Sequence, residues 1–498
     1  MKQWTRRDFL RMSVSAGSAM ALSHGRIAAA VVKGGSPNGD IRIAVVGFRG
    51  KGRGHIETFR SIPGVRVAAL CEVDGEVMAR NAKNYFTDRG EKVATYVDYR
   101  KLLEDSSIDA VVIATPNHWH SLMTVWACQA GKDVYVEKPV SHNVWEGRKA
   151  VEAARKYNRI VQVGTSSRSG QAFHKAFAYL KQGNLGKILW ARGLCYKLRE
   201  SIGKTTGPQT VPSHIDYDLW SGPAPLVPPR RNTPKGGAIH YDWHWLWNYG
   251  GGDIANQGAH QMDICRWLID EPGLPGSVTS IGGRFGYDDD GETPNTQIAV
   301  LNYQRAPIIF EVRGLPHKAG ERAMDSYRGA HVGVVIQCEH GYCAPGTAGG
   351  FAAYDNDDKT ITHFSGDGGE SHEQNFITAM HSRKSSDLAA PIEGGHVSSA
   401  LCHLANISHR LGAENTSEAI QRAVEAHEPT RDSFARMLAH LEANGVDTKA
   451  ARMVMGPVLA LLPDKEGFLS KEKYDAGYWA NTLLTRQYRT PFVVPEMV

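Results

Sequence analysis

The segment Ile41-Arg42-Ile43-Ala44-Val45-Val46-Gly47-Phe48-Arg49-Gly50-Lys51-Gly52-Arg53-Gly54-His55 carries an apolar strand into a glycine-rich turn and out into a helix. Glycines at 47, 50 and 52 let the backbone pass close to a phosphate, and the helix that follows aims free amide N–H groups at the anion. Arg49 stands where the middle glycine of G-x-G-x-x-G is usual, with Gly50 beside it, so the turn is a variant. A second strand ends in Cys71-Glu72-Val73-Asp74. An acidic side chain there accepts hydrogen bonds from an adenosine ribose and repels a 2′-phosphate, which favours NAD. Arg49 and Arg53 leave NADP open, and the plainer use of Glu72 is to cap a helix.

Outward from this turn, short apolar runs recur at 41–46, 65–70, 110–114, 133–136 and 160–163, separated by amphipathic stretches such as 144–157. Near-continuous apolar strands alternating with helices predict a doubly wound parallel Rossmann sheet with right-handed crossovers. After Gly164 the pattern changes. A helix over 170–182 leads to strand-like runs at 187–197, 297–303, 307–313 and 332–338, with glycine and proline between them. These predict an α+β domain built on a large, open, mostly antiparallel sheet. Residues 223–249, rich in proline and tryptophan, read as a surface insertion. The expected organisation is a signal over 1–30, a linker over 31–40, a nucleotide-binding domain over 41–164 and an α+β domain over 165–413. A C-terminal helical extension with an extended tail fills 414–498.

The 498 residues are 42% hydrophobic and 22% charged, ordinary usage for a soluble enzyme of two domains. Of the net charge of +5, the first 30 residues hold +4, from Lys2, Arg6, Arg7, Arg11 and Arg26 against Asp8. What remains is too little for a nucleic-acid footprint. No later apolar run reaches the ~18 residues that span a bilayer. The opening Thr5-Arg6-Arg7-Asp8-Phe9-Leu10-Arg11, the mildly apolar run 12–23 and Ala28-Ala29-Ala30 follow the order of a twin-arginine export signal. Passengers of that route cross the membrane folded, so a cofactor is loaded in the cytoplasm and carried to the periplasm, which has no obvious pool of free dinucleotide. The expectation is a periplasmic enzyme that keeps its cofactor and has no membrane partner after signal cleavage. The seven cysteines show no Cys-x-x-Cys pair. Folding in a reducing cytoplasm predicts free thiols, with Cys338 and Cys343 spaced for a hairpin bridge.

Two further motifs lie at strand ends, beyond which ligands of open α/β sheets bind. Ala114-Thr115-Pro116-Asn117-His118-Trp119-His120 ends the fourth strand and Glu137-Lys138-Pro139 the fifth, followed by Gln162-Val163-Gly164. Together with the glycine turn, Cys71-Glu72-Val73-Asp74, and Gly251-Gly252-Asp253 through Asp263, they make a chain that over about 41–412 resembles the Gfo/Idh/MocA family of glucose–fructose oxidoreductase and inositol 2-dehydrogenase. The resemblance implies an NAD(P)-dependent sugar oxidoreductase. It implies cofactor contacts from Gly47, Arg49, Gly50, Gly52, Glu72, Thr115, Pro116, Asn117, His120, Glu137, Lys138 and Gln162. It places Lys138 at the substrate hydroxyl, where burial beside a positive nicotinamide ring lowers a lysine's pKa and suits it to move protons.

Read as one helix, Asn256, His260 and Asp263 fall at i, i+4 and i+7 on one face. Many relatives carry Asp where Asn256 stands. Asn supplies no charge, so His260 is expected as donor or acceptor at the reacting oxygen, with Lys138 as the general base. Asp263 is a substrate contact or a structural partner of Arg266. The run from Tyr241 to Tyr249 packs five aromatics into nine residues. Trp243 and Trp245 suit stacking on a sugar ring, His244 and Asn248 suit its hydroxyls, and Arg168 is a further pocket residue. A purely structural tryptophan cluster fits the same residues. Metal-ligand spacing and a Ser nucleophile elbow are both missing from the sequence. Three functions stay open: oxidation of a sugar ring hydroxyl, a redox-neutral glycosidase or lyase acting through a transient keto-sugar, and a non-catalytic sugar binder. Intact Lys138 and His260 argue against the third. Members of the family pair subunits through the open face of the second sheet, which implies a homodimer or homotetramer.

Overall fold

The computed structural model describes residues 39–229, 237–346 and 349–498. The expected export signal and most of the expected linker lie outside the described residues. Strands β1 (Ile41–Val46), β2 (Val65–Cys71), β3 (Ala94–Tyr96), β4 (Ala110–Ile113), β5 (Asp133–Val136) and β6 (Val161–Val163) form a parallel sheet in the order β3-β2-β1-β4-β5-β6. Alternation sends Ile43, Val45 and Tyr135 to one face, against Ile56 and Phe59 of the helix Lys51–Ser61. Ala44, Val46 and Val111 go to the other, against the helices His120–Gln129 and Val144–Lys156. With both faces covered, the strands read as unbroken apolar runs. The exception is β3, short and largely exposed, which leaves no such run. The order reverses between β1 and β4, the switch point at which doubly wound sheets bind ligands.

The second sheet holds β7 (Ile188–Tyr196), β8 (Ser277–Gly283), β9 (Thr296–Asn302), β10 (Ile308–Arg313), β11 (Val332–Cys338), β12 (Gly341–Pro345), β13 (Phe351–Tyr354), β14 (Thr360–Phe364), β15 (Ala413–Asn415) and β16 (Met453–Met455). They run in the order β14-β13-β12-β11-β7-β10-β9-β8-β16-β15. β7 and β10 pair in parallel and the other neighbours antiparallel. The fold class is the expected Rossmann domain followed by a large mixed sheet. Ala191, Phe310 and Val334 on the inner face pack with residues of the helices Gln171–Lys181, Gly258–Leu268 and Ile392–Arg410.

The outer face differs from expectation. Ile281, Ile298, Val300 and Ile309 are covered by Phe434, Met437 and Leu441 of the helix Glu428–Ala443 and by Ile420 and Val424 beside it. On the same face, Arg192 and Glu311 are buried and meet Asp432 and Arg436 of that helix. Burial alone would raise the Glu311 carboxyl; Arg436, Arg192 and Arg313 outweigh it and hold it at about 2. The chain fills the face expected to pair subunits. The C-terminal extension is therefore not purely helical, since β15 and β16 join the sheet edge. Its tail lies on the nucleotide-binding domain, where the Phe492 ring meets Trp119 edge-on with centroids 5.4 Å apart.

Within 223–249, residues 225–228 are exposed, but the described residues from Ile239 on are buried or half-buried except Tyr241, unlike the expected surface insertion. Ala224, Ile239, Trp243 and Tyr249 are buried with Ile215 and Trp220 in one apolar cluster, which is where an aromatic-rich segment gains most. All seven cysteines are free and buried, and burial pushes the Cys338 thiol up to about 12. Among the described residues no helix is long and apolar enough to cross a membrane. Phe434→Ala, at the centre of the helix that covers the sheet, should cost about 3–5 kcal/mol in chemical denaturation. A loss under about 1 kcal/mol would show that this helix does not seal the face.

Candidate active site

The glycine turn is shaped by close approach. Gly47 has φ +73°, and a Cβ on it would lie 3.0 Å from the backbone and side chain of Thr115. A Cβ on Gly52 would lie 2.0 Å from the Gly47 carbonyl oxygen, so the helix packs against the turn only as glycine. Gly50 caps the Lys51–Ser61 helix with no side-chain hydrogen bond, and its first turn holds no acid. The free N–H groups face a cleft of about 320 Å³ lined by Arg49, Glu72, Thr115, Pro116, Asn117 and Lys138, among others.

Glu72 sits at the end of β2 with its carboxylate accepting from Phe48 N (3.2 Å), Val73 N (2.9 Å) and Asp74 N (3.2 Å). Burial nevertheless pushes its pKa up to about 6. The buried Asn117 Oδ1 has no partner within the protein. Both suit a ribose and amide-bearing ligand. His120 lies on the same wall, with its ring nitrogens 2.6 Å from the Pro139 carbonyl and 2.8 Å from that of Thr115, so it ties together the loops after β4 and β5. Gln162 does not line this cleft. Its amide is buried behind and donates to the His372 carbonyl at 2.7 Å. Above the cleft, Trp220, Ile239, His240, Trp243, His244 and Phe492 form a roof. The roof is pinned at the β2 end, where Asp74 meets His240 Nε2 at 2.9 Å and Gly75 N donates to the His214 carbonyl at 2.8 Å.

At the end of β5, Lys138 Nζ donates to the Asn256 carbonyl at 2.7 Å, and the Asn256 Oδ1 is 3.4 Å away. That carbonyl is free because residues 252–263 are not one continuous helix. The helix Gly252–Asn256 stops, Gly258–Leu268 begins, and His260 N bonds Gln257 O instead of reaching back to Asn256. Burial lowers the Lys138 pKa, with the Glu137 carboxylate opposing. Glu137 lines the cleft, and its carboxylate is held from behind: Oε1 meets His55 Nε2 at 2.9 Å, and His55 Nδ1 meets Glu373 Oε1 at 3.2 Å. Burial would strip the His55 proton, but the two carboxylates outweigh it and raise its pKa. Burial would likewise raise Glu137; His55 and Lys138 hold it well below the carboxylate range. Half-buried His260 is pulled down to about 3 by burial and then by the Lys138 charge, so it is a neutral imidazole.

Residues 41–165 match the model of an oxidoreductase family, NAD-binding Rossmann fold (GFO_IDH_MocA), and residues 186–279 match the C-terminal alpha/beta domain of that family. The chain belongs to the Gfo/Idh/MocA family. NAD is the cofactor of its Rossmann domain, and the close-packed turn and Glu72 fit it. A glycosyl hydrolase family 109 protein of Solibacter usitatus is 31% identical over 171 residues, covering 32% of this chain and 38% of that protein. The matched stretch spans about half or less of the curated relatives' own length. The WlbA dehydrogenase from Bordetella pertussis, solved with NADH and UDP-GlcNAcA, shares the fold with a TM-score of 0.53 at 18% identity, over 74% of this chain and 97% of that one. The scyllo-inositol dehydrogenase from Lactobacillus casei, solved with NAD(H) and scyllo-inositol, gives 0.51 at 18%, over 74% and 96%.

Of the residues expected at the substrate, this Gfo/Idh/MocA protein places Trp243 and His244 in the roof, stacked with centroids 3.6 Å apart. The other four lie off this cleft. Arg168 and Asp263 face each other, Nε to Oδ2 at 2.7 Å, with Ser398 Oγ donating to Asp263 at 2.6 Å. Arg168 rather than Arg266 is thus the closer partner of Asp263. Trp245 is buried under the Arg199 guanidinium, and the Asn248 carbonyl accepts from Arg486 at 3.0 Å. Sequence reading missed His55 and Glu373. The available signal was a histidine at 55 on the apolar stripe Gly52, Ile56, Phe59 of its helix. Glu373 carried none, because its helix packs beside β5 only in the folded chain.

The charges fix a pH response. Glu137 and Glu373 have folded pKa values below their ordinary 4.5, so the unfolded chain takes up protons that the folded one refuses. Their stabilisation is complete above that value and lost as pH falls below it. His55 works oppositely: its share is complete below 6.5 and fades as pH rises through its raised pKa. Glu137→Gln should flatten the acid limb of stability against pH in urea titrations. An unchanged limb would contradict the pairing.

Proposed function

We propose that the protein is a periplasmic, twin-arginine-exported oxidoreductase that oxidises a ring hydroxyl of a sugar or glycoside with an NAD it does not release. The observation that carries this reading is Lys138. It is half-buried on the wall of the cofactor cleft, its Nζ donates to the Asn256 carbonyl at 2.7 Å, its pKa is lowered, and its charge helps keep His260 neutral. NAD, when bound, supplies the acceptor for the hydride of the carbinol carbon. In its deprotonated form Lys138 takes the hydroxyl proton as that carbon is oxidised, and the Glu137 carboxylate behind it stabilises the ammonium that results. His260 hydrogen-bonds the same oxygen from the second domain. Glu72 stands where a 2′-phosphate would bring like charge, which supports NAD over NADP.

Retention is supported by the roof. Trp220, Trp243 and Phe492 close over the cleft from segments far apart in sequence, and the twin-arginine signal supports loading before export. A homodimer or homotetramer of such subunits would form through a surface other than the outer face of the large sheet. A second reading, a redox-neutral glycosidase working through a transient keto-sugar, is favoured by the family 109 glycosyl hydrolase relatives.

Mass spectrometry of the denatured mature protein should find NAD(H) at close to one per chain, and finding none would sink retention. Incubation with aryl glycosides should give a keto-sugar without release of the aglycone; stoichiometric aglycone release would replace the first reading by the second. Lys138→Met should lower turnover about 10²–10⁴-fold, as for a lost general base, with NAD still bound. Near wild-type turnover in that variant would favour the non-catalytic alternative.

A further inference from the structure

Three acids around the reaction centre are each met by a cation. Glu137 is taken by His55 at 2.9 Å, Asp253 by Arg199 at 2.6 Å, and Asp263 by Arg168 at 2.7 Å. Three lysines face the same region with no carboxylate of this kind among the described residues. Lys51 lines the cofactor cleft at the helix N-terminus, suited to the pyrophosphate. Lys138 is committed to the Asn256 carbonyl and the reacting hydroxyl. Lys197 is left over.

Its direction follows from the strand. Tyr196, the last residue of β7, turns its hydroxyl to Glu311 on the outer face. The chain continues along β10, with Lys197 N donating to Arg313 O at 3.0 Å and Arg199 N to Gly314 O at 2.8 Å. Side chains alternate on such a segment, so Cys195, Lys197 and Arg199 share the inner side. Cys195 is in the inner core, and Arg199 reaches Asp253. Asp253 and Asn256 belong to one short helix, and Asn256 holds Lys138. Lys197 is the exposed member of this group, and its positive charge opposes protonation of both Lys138 and His244.

We propose that Lys197 anchors an anionic substituent of the sugar, a carboxylate or a sulfate ester, so that the substrate is an acidic glycoside. This rests on the oxidoreductase reading of the same site and adds its substrate class. A lysine ammonium is a compact charge on a long stem, suited to reach a substituent that projects from a ring. Lys197 has no carboxylate at ion-pair distance among the described residues, so an incoming anion there meets a positive centre. A neutral sugar leaves that centre unanswered.

The test is calorimetric titration of the mature protein, with its retained NAD, using methyl glycosides of gluco, galacto and manno configuration. Each is supplied neutral, as the 6-carboxylate and as the 6-sulfate. The best anionic member should bind about tenfold or more tightly than its neutral counterpart, the scale of one charge-assisted hydrogen bond. The preference should weaken with salt. Lys197→Met should abolish it and Lys197→Arg should keep it, which separates lost charge from misfolding. Carboxylate and sulfate arms show which anion is preferred. Equal binding of neutral and anionic sugars, or a preference that survives Lys197→Met, overturns the anion anchor alone. Binding of no sugar overturns the oxidoreductase reading together with it.

Discussion

A buried imidazolium is stable only where carboxylates meet it directly, and His55 is met on both of its nitrogens. The arrangement joins three segments that share no sequence neighbourhood: the helix after the glycine turn, the end of β5, and the start of the helix His372–Ser382. Glu137 occupies the space where a Gly164 side chain would stand, its Oε1 only 2.8 Å from the position of a Cβ there. The same carboxylate accepts from Lys138 N at 3.3 Å, so the charge cluster also sets the backbone from which the reactive amine projects. Removing one member of such a set leaves the others charged and without partners, which is the expensive case.

A second constraint comes from the break at Gln257. In an unbroken helix the Asn256 carbonyl would be spent on the His260 amide; here it is available to Lys138. One local departure from regular backbone thus joins Lys138 to Asn256, with the lysine charge acting on His260. Burial then does the rest of the tuning, lowering the lysine and keeping the histidine neutral.

The chain covers itself with segments from inside and outside the two matched family domains. Trp220, Ile239, His240, Trp243, His244 and Phe492 roof the cofactor cleft, and the helix Glu428–Ala443 seals the outer sheet with both apolar contacts and the Arg192–Glu311–Arg436 network. One replaces solvent over the nucleotide cleft and the other over the outer face of the second sheet. They account for why the aromatic-rich segment is buried although its proline content reads as loop.

The alternation of apolar runs determined the Rossmann sheet and most of the second sheet from sequence, because each strand's burial on one or two faces is written directly in its residue pattern. The glycine turn, Glu72, Asn117 and Lys138 were legible for a similar reason: their chemistry depends on position at a strand end, which the pattern fixes. Arg168, Asp263, Trp245 and Asn248 were assigned to ligands from residue type and Gln162 from the family resemblance, and the partners the structure gives them are other parts of the chain. An arginine or a tryptophan suits a sugar and a buried carboxylate or cation equally well, so only tertiary contact distinguishes the two uses. The same holds for His55 with Glu373, the roof, and the sealed outer face. Each joins residues dozens to hundreds of positions apart, and no local periodicity records a contact at that range.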